Sequence, residues 1–318
     1  MTIVSDAYMT VTCFELLRDW ICRQAPDQAD WLDERYAAFS QGANEQDLHL
    51  FLGLAPRRLG KQDLMLSPAD LALANQAYPG WNLAGWSLDG AARVAALLAF
   101  EGPRPFAAMF QDLVRTADAH ELVTLYRGLA LYPRPASLEF EVGEGLRSNM
   151  RAVFESIVHH NPYPRDHFDE HRWNHMVLKA LFIGSGLSAI VGLDERANAE
   201  LARILLDYAQ ERWAAGRPVS PELWRCVGPF AERVSAYAAL RRALAGTPAE
   251  RGAATLALIA ADTPAARALR AHPTLLAEHQ ANAAKAVLFG VEYQNKSSVT
   301  ECRLCAKNFF YGGVVVRR

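Results

Sequence analysis

Histidines at regular spacing mark the part of this chain that is richest in residues capable of chemistry. His167, His171 and His175 are four residues apart, so one regular helix would place all three along one stripe. Two imidazoles one turn apart can bind a transition metal or can transfer protons in a pocket. All three histidines together would span about 12 Å along the helix axis, which is too far for them to bind a single ion. The spacing predicts His171 and His175 as catalytic residues and as ligands of a possible divalent metal, with a packing role as the alternative.

Any metal at this pair would need further ligands from elsewhere in the chain. The candidates are His159, His160, Asp169 and Glu170. The sequence after His171 does not read as a zinc-protease motif, because Arg172 stands where that motif requires the catalytic glutamate. The cofactor is therefore left unidentified, and a metal-dependent hydrolase or oxygenase is the weakest of the functions that the sequence allows.

The same region carries side chains suited to binding an anionic, oxygen-rich molecule. Guanidinium groups pair with carboxylate or phosphate, and tryptophan rings can stack on a ligand or on an arginine. Asparagines can orient hydroxyl groups. Helical arginines more often face solvent or pair with a carboxylate, so that alternative stays open for each. The predicted substrate-binding residues are Arg147, Asn149, Asn174, Arg212, Trp213, Arg217, Trp224 and Arg225.

A stiff turn precedes the histidine-rich segment. In Asn161-Pro162-Tyr163-Pro164 the two prolines restrict the backbone, and the asparagine can bond to nearby main-chain groups. The simpler interpretation is a connector between helices. The functional interpretation is that the turn directs His159 and His160 into the same cavity as His171.

Apolar periodicity predicts helices through almost the whole chain. Good start signals are Ser67-Pro68, Ser87, Thr247-Pro248 and Thr263-Pro264, because serine or threonine caps a helix and proline suits its first turn. Longer helices are predicted over 167–183, 195–214 and 221–245, with Asp194 as the N-cap of the second. Residues 138–142 are the one strand-like run of the first half.

The predicted fold class is all-α, a multi-helical bundle or solenoid of short antiparallel helix pairs that is HEAT-like in part. We expect one all-helical domain over 1–294, with its motif-dense core at 145–230. The segment 295–318 differs in character, being β-prone and basic at its end. It carries Cys302 and Cys305, half of a zinc-ribbon pattern without a second half.

Composition limits the partners of this 318-residue chain. A net charge of −2 argues against nucleic acid, which normally requires a basic face. The longest apolar run, 176–193, is interrupted by Lys179 and glycines, so no membrane span is predicted.

The five cysteines do not form a disulfide framework and no secretion signal is recognisable, which favours the cytoplasm. Nucleotide-binding and serine-nucleophile motifs are missing, so whether the protein is an enzyme stays open.

Several long motifs resemble the EboA family, most densely over 145–230. They are RSNMRAVFESI, NPYPRDHF, NHMVLKALF, GLDERAN, YAQERWAAGR and PELWRCVGPF, with WSLDGAAR (86–93) as an outlying match. The resemblance implies a gene cluster shared with a UbiA-type membrane prenyltransferase, a sugar-phosphate-cyclase-like protein and TIM-barrel proteins. It further implies a pathway that makes or exports a cyclitol- or prenyl-derived metabolite. It assigns no catalytic residue.

The leading functional hypothesis is a cytoplasmic component of such a secondary-metabolite pathway. It would bind, and could convert, a small oxygen-rich or phosphorylated metabolite in a His/Arg/Asn/Trp pocket that involves Arg147, His171 and Arg212. The alternative is a non-catalytic helical scaffold that docks a pathway enzyme such as the membrane prenyltransferase. The expected partners are accordingly a small-molecule metabolite and other proteins of the pathway.

Overall fold

The computed structural model describes residues 2–271, without the side chains of 2–8 and 10. This part of the chain is about 68% helical and contains no β-strand, which confirms the all-α prediction. The helical repeat stays a prediction, and the tail at 295–318 with Cys302 and Cys305 lies outside the described residues. The α-helices are α1 Thr2–Gln24, α2 Ala29–Ser40, α3 Glu45–Leu59, α4 Pro68–Ala77, α5 Leu88–Ala99, α6 Phe106–Thr116, α7 Ala119–Arg127, α8 Glu139–Arg147, α9 Arg151–Val158, α10 Tyr163–His167, α11 Glu170–Phe182, α12 Ala199–Ala214, α13 Leu223–Val227, α14 Tyr237–Leu244, α15 Pro248–Ala261 and α16 Pro264–Arg270.

Two compact units divide the described residues. Unit 1 comprises the chain up to residue 176 together with 189–192, and unit 2 comprises 177–188 and the chain from 193 onward. Short 3₁₀ turns at Pro26–Gln28 and Pro135–Leu138 lie in unit 1, and one at Gly228–Phe230 lies in unit 2. The prediction of a single domain over 1–294 stays a prediction.

Helix α5 is the centre of unit 1. Its sequence is alanine- and leucine-rich on all faces, which is typical of a helix surrounded by others. It packs against α1, α2, α3 and α7, and ten of its residues are buried. Two of these, Asp89 and Arg93, are charged. At Gly90 a Cβ atom would lie 2.8 Å from Ser87 Oγ and 3.2 Å from Thr124 Oγ1, so α5 and α7 approach closely there.

Helix α15 has the corresponding role in unit 2. It packs against α13, α14, α16 and the 3₁₀ turn that begins at Gly228. A Cβ atom at Gly228 would lie 2.7 Å from Ala257 Cα, so a glycine is needed for this backbone contact. The alanine-rich composition of α15 permits the close packing.

The predicted helix starts are confirmed. The side chains of Ser67, Ser87, Thr247 and Thr263 each accept a hydrogen bond from the backbone N–H three residues later. At Ser67 and Thr247 the N3 residue also bonds back to the cap, completing a capping box. These contacts are local, which explains why the sequence alone reveals them.

The predicted helix over 167–183 is wrong at its start. Helix α10 ends at His167, Phe168 is extended, and α11 begins at Glu170. Asp169 Oδ1 accepts a hydrogen bond from Arg172 N at 2.7 Å, which is an N-cap contact. His167 therefore lies on a different helix from His171 and His175.

Three other predicted elements also differ from the structure. The strand-like run at 138–142 is a 3₁₀ turn followed by α8. Helix α12 begins at Ala199, and its N-cap is Asn198 rather than Asp194. The predicted helix over 221–245 is divided into α13, a 3₁₀ turn and α14, because Gly228-Pro229 interrupts it. Within residues 2–271, no helix is both long and apolar enough to cross a lipid bilayer.

Candidate functional site

A cavity of about 200 Å³ in unit 1 combines an arginine, two histidines and an asparagine. We name it the Arg127 cavity. It lies beside α7 and α9, the loop before α5 and the turn after α9. Its lining residues are Ala84, Trp86, Val123, Arg127, Ala152, Glu155, Ser156, His159, His160 and Asn161.

Asn161 holds the turn that closes one side of this cavity. It is 3% exposed, and its Nδ2 donates to Tyr126 O at 2.9 Å and to Ser156 O at 3.1 Å. Its Oδ1 accepts from Tyr163 N at 3.1 Å. The side chain thus joins the last residues of α7 and α9 to the first residue of α10. Asn161 is a structural part of the cavity wall, and Pro162 follows it directly in the chain.

His160 is held in an unusual backbone conformation. Its φ angle is +55°, in the left-handed region that residues other than glycine rarely adopt. Its N–H donates to Ala189 O at 2.8 Å, and His159 forms an antiparallel bridge with Ile190. Burial lowers the pKa of His160 below its ordinary value of 6.5, and the nearby His159 and Arg127 lower it further. The imidazole is therefore neutral at pH 7 and can accept a hydrogen bond.

Arg127 supplies the positive charge of the cavity. Its Nη1 donates to Gly85 O, and among residues 2–271 it forms no ion pair. Burial lowers the pKa of Arg127, and the field of Asp63 offsets only part of that effect. A guanidinium that has lost water without gaining a carboxylate partner is suited to receiving an anion.

Glu155 brings a carboxylate to the same cavity, but its charge is balanced locally. Arg151 Nε donates to Glu155 Oε1 at 2.7 Å, a pairing of residues four apart on α9. Trp86, which is buried, adds an apolar wall. The arrangement can hold a small molecule with one anionic group and neighbouring hydroxyls, since it offers one cation, one acceptor imidazole and an apolar surface.

The sequence-predicted residues of unit 1 do not line the Arg127 cavity. Arg147 is paired with Glu144 and its side chain is 74% exposed, and Asn149 is exposed as well. His171 and His175 are exposed and their rings stack with centroids 4.1 Å apart. His175 Nδ1 donates to His171 O at 2.9 Å. Asn174, between them, is buried.

The exposed histidine pair was also the predicted metal site. Within residues 2–271, no group of three or more His, Cys, Asp or Glu side chains is placed to hold a metal ion. His171 and His175 alone supply two ligands, which is fewer than metal sites in proteins normally use. Their assignment as metal ligands or as catalytic residues remains a prediction.

In unit 2 the predicted residues form an aromatic and arginine cluster. Trp213 and Trp224 stack with centroids 5.9 Å apart, and the guanidinium of Arg242 lies 4.4 Å from the Trp213 ring centroid. Arg225 donates to both oxygens of Asp194 at 2.7 Å. Sequence reasoning did not include Arg242, which lies on the later helix α14.

The remaining two predicted arginines of unit 2 have partners on the main chain or on aromatic rings. Arg212 Nε donates to Pro218 O at 3.0 Å, and its guanidinium lies 6.0 Å from the Tyr208 ring centroid. The side chain of Arg217 is exposed, and its backbone N–H donates to Arg212 O at 2.8 Å. Ligand binding by these residues stays a prediction.

The sequence analysis did not include Arg127. It named Asn161, His159 and His160 only as secondary candidates. The motif HHNPYP (159–164) contained part of the information, because asparagine before proline is typical of a turn. Arg127 had no such marker. It is the last residue of an ordinary amphipathic helix, and its lack of a carboxylate partner is a property of tertiary packing.

Comparisons with known proteins agree with the family resemblance. The family model described as "Metabolite traffic protein EboA" matches residues 13–228, which is more than half of the chain. The match includes the whole lining of the Arg127 cavity. No curated protein and no solved structure matches the chain.

Proposed function

We propose a function from the premise that the chain belongs to the EboA family, whose model is described as a metabolite traffic protein. The protein binds a small anionic, oxygen-rich metabolite in the Arg127 cavity and handles it as a cytoplasmic component of an ebo-type secondary-metabolite pathway. The cytoplasmic location and the cyclitol- or prenyl-derived nature of the metabolite are parts of this proposal. They rest on the cysteine pattern and on the family resemblance.

One observation carries the proposal. Arg127 is partly buried, its pKa is lowered by burial, and it forms no ion pair among the described residues. Desolvating a cation without a carboxylate partner costs free energy. A carboxylate or phosphate group of a ligand would remove that cost by pairing with the guanidinium.

The neighbouring groups define what the rest of the ligand should be. A neutral His160 accepts a hydrogen bond, and a hydroxyl of the ligand can donate one. The volume of about 200 Å³ suits a compact metabolite rather than a polymer or a long prenyl chain. Proton transfer by His171 or His175, which would make the protein an enzyme, stays a separate prediction.

The test is to compare the small molecules that purify with three forms of the protein. Wild type, Arg127→Met and Arg147→Met are isolated from the producing cells, denatured, and their extracts examined by mass spectrometry. We expect an acidic metabolite in the wild type and in Arg147→Met, and a loss of about tenfold or more in Arg127→Met because charge-assisted pairing is lost.

Arg147→Met is a matched control, because Arg147 is one of the arginines predicted from the sequence to bind the metabolite and it lies outside the cavity lining. If Arg147→Met loses the metabolite and Arg127→Met retains it, the site predicted from the sequence replaces the Arg127 cavity. Equal retention in all three forms would refute binding by either arginine.

A scaffold that docks another pathway protein is the second candidate. Large apolar side chains are exposed in unit 1, as docking would require, although scattered examples are common on soluble proteins. A pull-down that retains a pathway enzyme such as the membrane prenyltransferase, from protein that carries no metabolite, would favour it. Among the side chains of unit 1 that the structure describes, the large exposed apolar ones are Val11, Leu50, Met65, Leu73, Phe140 and Met150.

A further inference from the structure

A second cavity in unit 1, of about 120 Å³, also has an arginine in its wall. We name it the Arg93 cavity. Helix α7 contributes to both cavities, with Val123 and Arg127 in the first and Glu121, Thr124 and Leu125 in the second. The lining residues are His49, Leu52, Gly53, Arg93, Leu113, Thr116, Ala117, Glu121, Thr124 and Leu125.

Arg93 is incompletely satisfied within the protein. It lies in the buried helix α5, is 4% exposed, and its Nη2 is 3.3 Å from Glu121 Oε1. Its Nε and Nη1 are buried and have no hydrogen-bond acceptor among the described residues. Buried donors of a charged group are costly when they have no acceptor, so an acceptor in the cavity would stabilise them.

The charges around Arg93 indicate that this acceptor is neutral. Glu121 already supplies one carboxylate, and Asp89, one turn earlier on α5, is 0% exposed. Asp89 Oδ2 lies 3.2 Å from His120 Nε2, whereas Asp89 Oδ1 is buried and has no hydrogen-bond partner among the described residues. An anionic ligand would place a second negative group beside the one guanidinium that Glu121 already pairs with, and repulsion between like charges at low dielectric would oppose it.

The size and polarity of the cavity favour an organic ligand over a single water. Its volume is several times the roughly 30 Å³ that one water occupies in the liquid. Thr116 and Thr124 add hydroxyl groups to the wall, and Leu52, Leu113 and Leu125 add apolar surface. Such a lining suits a small molecule that has both hydroxyl groups and carbon–hydrogen surface.

We propose that the Arg93 cavity is a binding site for a small neutral polyol, whose hydroxyl oxygens accept hydrogen bonds from Arg93. The site is distinct from the Arg127 cavity, which receives an anionic group. The two cavities therefore differ in the charge of the ligand that each one takes.

Gly53 offers a way to close this site without disturbing the core. It lies in the interior of α3 and lines the cavity, and a Cβ atom there would meet nothing within 4 Å. We expect Gly53→Leu to narrow the cavity, while Gly53→Ala is the matched control with a much smaller side chain. Both replace a helical glycine, so neither should impair folding.

The experiment follows the Nε–H resonance of Arg93 in full-length ¹⁵N-labelled protein while erythritol or sodium acetate is added. We expect erythritol to shift this resonance saturably and acetate to leave it in place. The Nε–H of Arg104, which is bonded to Glu45, serves as an internal reference that should not move. Gly53→Leu should weaken the erythritol response about tenfold, and Gly53→Ala should retain it.

Three results would overturn the proposal. A response to acetate alone would show that the site takes anions. No response to erythritol at any concentration would show that the cavity holds only water. An undiminished response in Gly53→Leu would place the erythritol elsewhere.

Discussion

The Arg127 cavity in unit 1 and the aromatic and arginine cluster in unit 2 contain similar types of residue but use them differently. In the first, Arg127 faces a cavity without a carboxylate partner among the described residues. In the second, Arg225 is paired with Asp194 and Trp213 stacks on Trp224. Residue types that suit ligand binding also suit internal packing. The difference is whether the charge of the arginine already has a carboxylate partner inside the protein.

The largest expected effect concerns Asn161, which supports the cavity in unit 1. Asn161→Ala removes both donors to buried carbonyl oxygens and the acceptor for Tyr163 N. We expect a loss of about 2–4 kcal/mol in the free energy of unfolding, because buried polar groups are left without partners. Urea denaturation measures it. Asn149→Ala, at an exposed asparagine, should change stability by less than about 0.5 kcal/mol. Equal effects would mean that the turn is not organised by Asn161.

A smaller effect is expected for the ion pair of unit 2. Arg225 is largely buried, with an 11% exposed side chain, and it bonds to both oxygens of Asp194. A double-mutant cycle with Arg225→Met and Asp194→Asn should give a coupling free energy of about 1 kcal/mol. The exposed pair Arg147 and Glu144 should give about 0.2–0.5 kcal/mol in the same cycle. A coupling near zero for Arg225 and Asp194 would remove the contrast with Arg127.

The smallest effect is a pH dependence that comes from His160. Its pKa is lowered in the folded protein, so the unfolded chain takes up a proton near pH 6.5, whereas the folded protein does so only at lower pH. The unfolded state therefore binds more protons in that window, and the free energy of unfolding falls as pH falls below about 6.5. Above about pH 7.5 this histidine contributes no pH dependence, because it is neutral in both states.

Replacing His160 by asparagine tests this effect without adding backbone strain, because asparagine tolerates the left-handed conformation. Urea denaturation at pH 8 and pH 5.5 should show a smaller loss of stability in His160→Asn than in wild type. If His160→Asn and wild type lose equal amounts, the neutral buried imidazole is not a property of the folded protein.

Local sequence features predicted much of the fold but little of the site. The caps at Ser67, Ser87, Thr247 and Thr263 were found because each capping contact spans three residues. The helix breaks at Phe168 and at Gly228 were missed, although Gly228-Pro229 is a local helix-breaking signal. At Gly228 the break coincides with a close contact to Ala257, which lies 29 residues later in the chain.

The amino-acid sequence by itself determined that this protein is all-α, where many of its helices begin, and which family it belongs to. It also determined that arginine, histidine, asparagine and tryptophan are concentrated between 145 and 230. The tertiary structure decided which of these side chains form ion pairs and hydrogen bonds inside the protein. Asp194 pairs with Arg225 across 31 residues, and Arg127 reaches Gly85 across 42. Contacts between residues so far apart depend on how the helices pack, and periodicity and capping do not encode them.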